Sequence, residues 1–314
     1  MDKRSQSTME QNQERDRAGV WYGVLAYTAW GILPLYWKLL QGIPALEILA
    51  HRIVWSFVFV GIILTITRGW PRLFAVMKQT KNVLSLFLAG FFMSINWYTY
   101  IWAVNSGHVI EASMGYYINP LFVVLLGVVI LKEKLNRWQG LAIFLALIGV
   151  LIMTIQYGQI PWISLILAIS FSLYGLSKKL INVDSLTSLA LETAIVMPIA
   201  LFYIINRQVQ NVGALGRVSV AEMLILFGTG VITAIPLLAF AQGAKRIKLI
   251  MLGFLQYITP TSTLLLGIFI FKEHFSRTHL IGFSFIWAGL LVFIVVNVYQ
   301  VTKMQNKKHE TRQV

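Results

Sequence analysis

Cysteine is absent from the 314 residues of this chain, and charged side chains are scarce, at 12% of residues against 57% that are hydrophobic. A soluble domain usually carries about 25% charged residues. The lack of cysteine excludes a disulfide framework and a thiolate metal site. So little charge leaves too few polar groups to cover a water-soluble domain, and the mean hydropathy of +0.72 indicates a protein of the lipid bilayer.

Acidic residues are also few, with 12 Asp and Glu against 26 Lys and Arg and a net charge of +14. Such an excess can indicate nucleic-acid binding, but here the basic residues lie in short segments between apolar runs. Cytoplasmic loops of membrane proteins are enriched in Lys and Arg. Because most of these residues fall in alternate loops, we expect a multi-pass protein of the inner or plasma membrane with both termini cytoplasmic, and no nucleic-acid partner.

Ten apolar runs approach the ~20 residues that a helix needs to cross the ~30 Å hydrocarbon core. They are too long and too uniformly apolar for the strands of a barrel. The sequence therefore predicts an all-α integral membrane protein of ten transmembrane helices, with a solvated, flexible polar tail at 1–17 and a basic cytoplasmic tail at 301–314. The predicted spans are 18–40, 47–67, 82–104, 109–131, 138–156, 161–177, 186–205, 220–243, 249–271 and 278–300.

Two segments of the chain resemble each other closely. Residues 116–137 read YYINPLFVVLLGVVILKEKLNR, and residues 256–277 read QYITPTSTLLLGIFIFKEHFSR. Tyr, Pro, Gly and a Lys-Glu pair keep register without a gap, which predicts two repeats at 18–156 and 161–300. Five helices per repeat is an odd number, so the second repeat would be inverted. Inverted repeats are typical of secondary transporters, although a duplication that serves stability alone is the alternative.

Three segments carry a family resemblance: AYTAWGILPLYWK at 26–38, HRIVWS at 51–56 and NWYTYIWAVNSGHVIEASMGYYINPL at 96–121. On these residues the chain resembles the EamA-type drug/metabolite transporters and, among them, the RarD branch. The resemblance covers nearly the whole chain. It implies ten helices, an inner-membrane location and a permease, in the export direction, for small organic molecules. The label of chloramphenicol-resistance permease often given to this branch is a poor guide to the natural substrate.

Ionisable residues inside a bilayer cost at least ~2.5–3.5 kcal/mol at the helix centre and therefore need a partner or a wet cavity. We expect a cluster at the mouth or wall of a central cavity; the alternative is a structural ion pair between the first two helices. Glu192, in the seventh span, is a candidate for coupling to a proton, and the alternative is a carboxylate held by Lys178 or Lys179. The four members of the expected cluster are Lys38, Glu47, His51 and Arg52.

Aromatic and amide side chains concentrate in the third and fourth spans. Such a combination suits a cavity for a partly apolar, cyclic or zwitterionic solute, although Trp and Tyr near helix ends also serve as interfacial anchors. Pro120 and Pro260 fall near the middle of the fourth and ninth spans, where each frees the carbonyl four residues earlier, and we expect them to act as hinges. The predicted cavity residues are Asn96, Trp97, Tyr100, Tyr116, Asn119 and Tyr257.

The remaining signals argue against other classes of site. His108 and Glu111 have a spacing that metal sites use, but two ligands are weak evidence, and Glu111 more simply stabilises a helix N-terminus. We expect no metal and no cofactor. Without a phosphate-binding loop, ATP is not the expected energy source.

The leading prediction is therefore a secondary transporter, not an enzyme, that moves a small organic solute by alternating access. A coupling proton and the lipid bilayer are its other expected partners. A non-transporting scaffold or sensor is the alternative, and a membrane-embedded enzyme using His51, Glu111 or Glu192 is the weakest one. The sequence does not indicate the oligomeric state.

Overall fold

The structure, a computed structural model, describes residues 3–106, 108–270 and 277–310. Every regular element in these ranges is an α-helix, which confirms the predicted fold class. The helices are α1 (Lys3–Lys38), α2 (Ala45–Ile66), α3 (Trp70–Met77), α4 (Thr80–Asn105), α5 (Val109–Val129), α6 (Arg137–Tyr157), α7 (Trp162–Leu180), α8 (Ser185–Val209), α9 (Val220–Arg246), α10 (Leu249–Gln256), α11 (Ile258–Phe269) and α12 (Arg277–Glu310).

Nine stretches of the described ranges are helical, long and apolar enough to cross a membrane. They belong to α1, α2, each of α4 to α9, and the pair α10 and α11, which together form one span. The tenth predicted span falls on α12, whose described apolar stretch, Leu280–Val296, is shorter. The count of ten therefore stays a prediction. The short helix α3 is not among the predicted elements.

Both chain ends are more helical than the sequence analysis expected. Helix α1 begins at Lys3, so residues 3–17 continue a transmembrane helix instead of forming a flexible tail. Helix α12 likewise runs on to Glu310. Both segments are rich in Gln, Glu, Lys, Arg and Met, which are good helix formers, and each adjoins a helix that is already nucleated.

Helix packing shows a symmetry between the two predicted repeats. Helix α1 packs on α9, and the counterparts of these two helices, α7 and α4, pack on each other. Helix α5 packs on α7, and their counterparts, the span of α10 with α11 and helix α1, are also in contact. Each of these contacts maps onto another when the repeats are exchanged. Two five-span repeats related by a pseudo-twofold axis would produce this pattern.

The two ends of the helix bundle differ in charge. At one end, which we call the basic end, α7 and α9 finish and α10 begins. Helix α1 passes there, and Arg15 donates from Nη2 to the carbonyl of Lys245 at 3.1 Å. At the opposite end α1 finishes and α9 begins, and the hydroxyl of Tyr36 donates to the carbonyl of Ile225. The basic end carries Lys178, Lys179, Lys245, Arg246 and Lys248.

Helices α6 and α12 form a tight pair at the periphery. A Cβ atom on Gly149 of α6 would overlap the carbonyl oxygen of Gly282 on α12. A Cβ atom on Gly282 would lie 2.8 Å from Cε of Met153. Small residues let helix backbones approach closely in a membrane, where dispersion contacts replace the hydrophobic effect as the driving force. The two glycines therefore set the distance between these helices.

Candidate functional site

A cavity of about 770 Å³ lies between helices of both predicted repeats. On α5, which begins at the opposite end, the lining runs only from Ala112 to Asn119. On α7, which also begins there, the lining residues are Leu167 and Phe171. The cavity therefore extends from the middle of the bundle towards the opposite end. We call this part of the molecule the cavity half and the remainder the basic half.

Five of the six predicted cavity residues line this cavity: Asn96, Trp97, Tyr100, Tyr116 and Asn119. Tyr257 does not, because it is 2% exposed and packs in an apolar cluster with Phe283 and Ile286. Its neighbour Gln256 lines the cavity instead. One residue is about 100° of rotation on a helix, and the repeat aligns Gln256 with Tyr116, which also lines the cavity.

The two amides in the cavity wall also hold helices together. Asn96 of α4 donates from Nδ2 to the carbonyl of Leu167 at 2.9 Å and to Oγ of Ser170 at 3.1 Å, both on α7. On α5, Oδ1 of Asn119 accepts a hydrogen bond from Oγ of Ser172 at 3.3 Å. Both amides thus attach the third and fourth spans to α7, which begins the second predicted repeat.

Arg52 of α2 brings a positive charge into the cavity. Its Nε donates to Oγ1 of Thr233 at 3.0 Å. Its guanidinium carbon lies 4.8 Å from the ring centroid of Trp37 and 5.6 Å from that of Trp97, within the range of cation–π attraction. Among the described residues that line the cavity, Arg52 is the one with a formal charge.

Three members of the expected charged cluster have separate partners. Glu47 is 1% exposed and accepts from Nη2 of Arg207 at 3.4 Å and from the amide of Ala214 at 2.5 Å. This ion pair ties α2 to α8 instead of to α1. Nδ1 of His51 accepts from the indole of Trp55 at 3.2 Å. Because Arg52 follows His51 by one residue, it faces a different direction, into the cavity. Lys38 ends α1.

Glu192 belongs to a buried polar network in the basic half. Its Oε1 lies 2.7 Å from Nζ of Lys178 and accepts from Oγ of Ser188 at 2.7 Å. Its Oε2 accepts from the hydroxyl of Tyr174 at 3.3 Å. The side chains of Lys178 and Glu192 are 1% and 7% exposed. Lys178 thus holds this carboxylate, and the coupling role of Glu192 stays a prediction.

A second set of contacts closes the basic end around the turn from α9 to α10. The carboxylate of Glu133 accepts from the amides of Leu249 at 2.8 Å and Ile250 at 3.0 Å. From the other side, Lys179 donates to the carbonyl of Ala244 at 3.2 Å and to that of Ile247. Both the backbone N–H groups and the backbone carbonyls of this turn are therefore bonded to side chains. Sequence reasoning noticed Glu133 as part of the repeat but gave it no role.

Glu111 binds a neighbouring helix. Its carboxylate accepts from the hydroxyl of Tyr157 at 2.6 Å and from the amide of Ile163 at 3.4 Å. It therefore lies in the first turn of its own helix, where the sequence placed it, and also accepts from the N-terminus of α7. Within the described ranges, no group of three or more His, Cys, Asp or Glu side chains could hold a metal ion.

The two prolines have different effects on their helices. Pro120 lies inside α5, which continues through it without a break. Pro260 is the third residue of α11, and the regular helical hydrogen-bond pattern is interrupted just before it, at Tyr257, whose φ of −63° and ψ of −13° stay in the right-handed helical region. The missing donor of Pro260 would have bonded to the carbonyl of Gln256, the last residue of α10. The two prolines occupy equivalent positions in the repeats, but the helix around Pro120 is continuous and the helix before Pro260 is interrupted.

Sequence reasoning missed the contribution of α1. Tyr27, Trp30, Pro34 and Trp37 all line the cavity, and their spacing of three or four residues places them on one helix face. The sequence contains this periodicity, but the segment was used only as evidence of the family resemblance. The hydroxyl of Tyr27 and Oε1 of Gln256 are buried at the cavity and have no hydrogen-bond partner within the described part of the chain.

Comparison with known proteins agrees with this architecture. The family model described as the EamA-like transporter family matches twice, at residues 17–155 and 160–295, close to the two predicted repeats. A solved structure with 20% sequence identity covers 89% of this chain and 97% of its own with a TM-score of 0.68. At that identity the likeness concerns the fold alone.

Relatives match over most of their length. An uncharacterized transporter of Bacillus subtilis, YojE, is 53% identical over 88% of this chain and 93% of its own. The protein RarD of Escherichia coli is 38% identical over 91% of this chain and 97% of its own. A protein of Pseudomonas aeruginosa named chloramphenicol-sensitive protein RarD is 29% identical, covering 87% and 92%. With two family matches and these relatives, the chain belongs to the EamA-like transporter family and is a multi-pass membrane protein.

Proposed function

We propose that this protein is a secondary transporter that moves a small organic solute across the cell membrane by alternating access, with both termini in the cytoplasm. The observation that carries the proposal is the cavity of about 770 Å³ between helices of the two repeats. This volume falls within the ~300–1,000 Å³ typical of small-molecule sites. Its wall combines aromatic rings with a few polar groups, as expected for an organic solute.

The arrangement of the two halves supports alternating access. The cavity extends towards the opposite end, while Glu133, Lys179 and the buried pair of Lys178 with Glu192 close the basic end. If each inverted repeat adopted the conformation of the other, the cavity half would close and the basic half would open around the same site. In this proposal the basic end is cytoplasmic, and the physiological direction is export, which is the expectation from the family resemblance.

Glu192 is proposed to couple transport to protons. It is buried and held by Lys178, Ser188 and Tyr174. Protonation of its carboxylate would therefore weaken the charge-assisted hydrogen bond from Lys178. Protonation would therefore loosen the basic half, where opening is required. Among membrane proteins, ionisable residues within helices commonly mark proton relays.

The test is uptake into proteoliposomes of radiolabelled solutes, including aromatic organic acids and amino acids, with and without a pH gradient. We expect saturable uptake that a pH gradient accelerates. Glu192→Gln should retain uptake without the gradient and lose the acceleration. Asn96→Ala should reduce uptake in both conditions, because the cavity wall loses its attachment to α7.

Absence of flux for every solute, from protein that is folded, would favour the scaffold or sensor alternative. Flux that responds fully to the gradient in Glu192→Gln would remove Glu192 from the coupling step while leaving the transporter assignment intact. Glu222→Gln is a matched control, since Glu222 caps the start of α9 through Ser219, away from the cavity.

A further inference from the structure

The charge inside the cavity identifies a class of solute. Arg52 is held in place by Thr233 through Nε, so its two terminal nitrogens point away from that bond. Within the described ranges no salt bridge joins Arg52 to a carboxylate. The formal charge on the described cavity wall is therefore a single guanidinium that lacks a protein counter-ion. In a membrane interior, such a charge is costly unless water or a ligand compensates it.

Arg52 contrasts with three buried or half-buried cations that lie outside the cavity. Lys178 has the carboxylate of Glu192, and Arg207 has that of Glu47. Lys179 donates to two backbone carbonyls. Each of these three cations donates from a terminal nitrogen, whereas the hydrogen bond that the described residues show for Arg52 uses Nε. A planar guanidinium presents parallel N–H groups that match a carboxylate in a bidentate geometry.

The surroundings of Arg52 add a second requirement. Trp37 and Trp97 lie against the guanidinium, and the rings of Tyr100 and Tyr116 meet edge to face at 6.1 Å in the same wall. These faces suit a flat apolar group next to the charge. Two other lining residues, Tyr27 and Gln256, each carry a buried polar atom without a hydrogen-bond partner among the described residues, so that the wall is not purely apolar.

We propose that the solute is an organic anion, a carboxylate attached to an aromatic or similarly flat apolar group, and that Arg52 binds its carboxylate. This inference rests on the proposed function for its physiological meaning, but it concerns binding and can be tested without transport. A cationic solute is disfavoured because it would meet Arg52 without an acidic side chain among the described lining residues. A zwitterion would leave its ammonium group without a carboxylate among the described lining residues.

The test uses full-length protein in lipid nanodiscs and a series of matched probes: 3-phenylpropionate, 3-phenylpropionamide, 3-phenylpropylamine and L-phenylalanine. Binding is followed by quenching of tryptophan fluorescence, since Trp30, Trp37 and Trp97 line the cavity. We expect 3-phenylpropionate to bind at least about tenfold more tightly than the amide, the amine or the amino acid. Arg52→Gln should bring acid and amide to equal affinity, and Arg52→Lys should keep part of the preference for the acid.

Folding is controlled within the same experiment. Arg52→Gln should still bind the neutral amide as the unchanged protein does, and Thr233→Val, which frees the guanidinium from its anchor, should weaken binding of the acid but not of the amide. The proposal is overturned if the amide or the amine binds as well as the acid, if Arg52→Gln keeps the preference, or if the acid shows no saturable binding. Preference for the acid without flux in proteoliposomes would instead refute the transporter assignment and leave this inference standing.

Discussion

The two halves of the molecule treat a buried positive charge in different ways. In the basic half, Lys178 is matched by Glu192 at 2.7 Å and shares a hydrogen-bond network with Ser188 and Tyr174. In the cavity half, Arg52 has a hydroxyl and aromatic faces, and none of the described carboxylates pairs with it. The fold itself thus neutralises the buried charge of Lys178, whereas the guanidinium of Arg52 lies in a cavity wall where a ligand can approach it. This difference is the reason for proposing the cavity half as the binding side.

The largest expected effect comes from breaking the pair in the basic half. Lys178→Met should lower the free energy of unfolding by about 3–5 kcal/mol, because it leaves the carboxylate of Glu192 buried without a counter-ion. Arg52→Met should cost only about 1–2 kcal/mol, the worth of one hydrogen bond and a cation–π contact. Thermal unfolding in lipid nanodiscs measures both.

The double variant Lys178→Met with Glu192→Leu is the control for this prediction. It removes both charges, so it should recover most of the stability lost in Lys178→Met alone. If Arg52→Met destabilised the protein as much as Lys178→Met, the contrast between the two cations would be wrong.

A smaller effect is expected at the prolines, which lie where the two halves meet. Pro260→Ala supplies a donor to the carbonyl of Gln256 and should join α10 to α11, slowing transport by up to about tenfold for one added hydrogen bond of ~0.5–1.5 kcal/mol. Pro120→Ala should change the rate by less than about twofold, since α5 is already continuous. Solute counterflow in proteoliposomes compares the two, and unchanged rates in both variants would exclude the hinge role.

The smallest effect concerns the turn that closes the basic end. Glu133→Gln replaces a charged acceptor with a neutral one, which should weaken the hold on Leu249 and Ile250 by ~1 kcal/mol and speed exchange of their amide hydrogens about fivefold. Hydrogen exchange followed by mass spectrometry measures this. Glu222→Gln, at the opposite end, should affect only the first turn of α9. Equal protection of the α9–α10 turn in Glu133→Gln would show that other contacts close this end.

Much of the fold follows from the sequence because the membrane restricts the choices. A spanning backbone must bond to itself, so apolar runs of sufficient length are helices. The spans near residues 47–67 and 138–156 match α2 and α6 to within a few residues. The helical start at Lys3 was not predicted. Hydropathy identifies the helical segments that contact lipid, but it does not show whether a helix continues outside the membrane as a polar segment.

The site was less predictable than the fold. Asn96 and Arg52 were identified because a polar side chain inside a membrane needs a partner or a water-filled cavity. The sequence named Lys178 among the possible partners of Glu192, because the two residues lie on consecutive helices. The partner of Glu47 was not predicted, since packing brings Arg207 near it from a helix far along the chain. Gln256 was within reach of the sequence, since the repeat aligns it with Tyr116, another residue that lines the cavity.

The close contact between Gly149 and Gly282 has a consequence for biosynthesis. Helix α6 buries Ala142, Ala146 and Gly149 against α12, the last helix of the described chain to be made. While α7 to α11 are being synthesised, this small-residue face of α6 has no partner from α12 and is open to lipid or to the insertion machinery. The pair can assemble only after residues beyond 277 leave the ribosome, so the outer wall of the protein closes last.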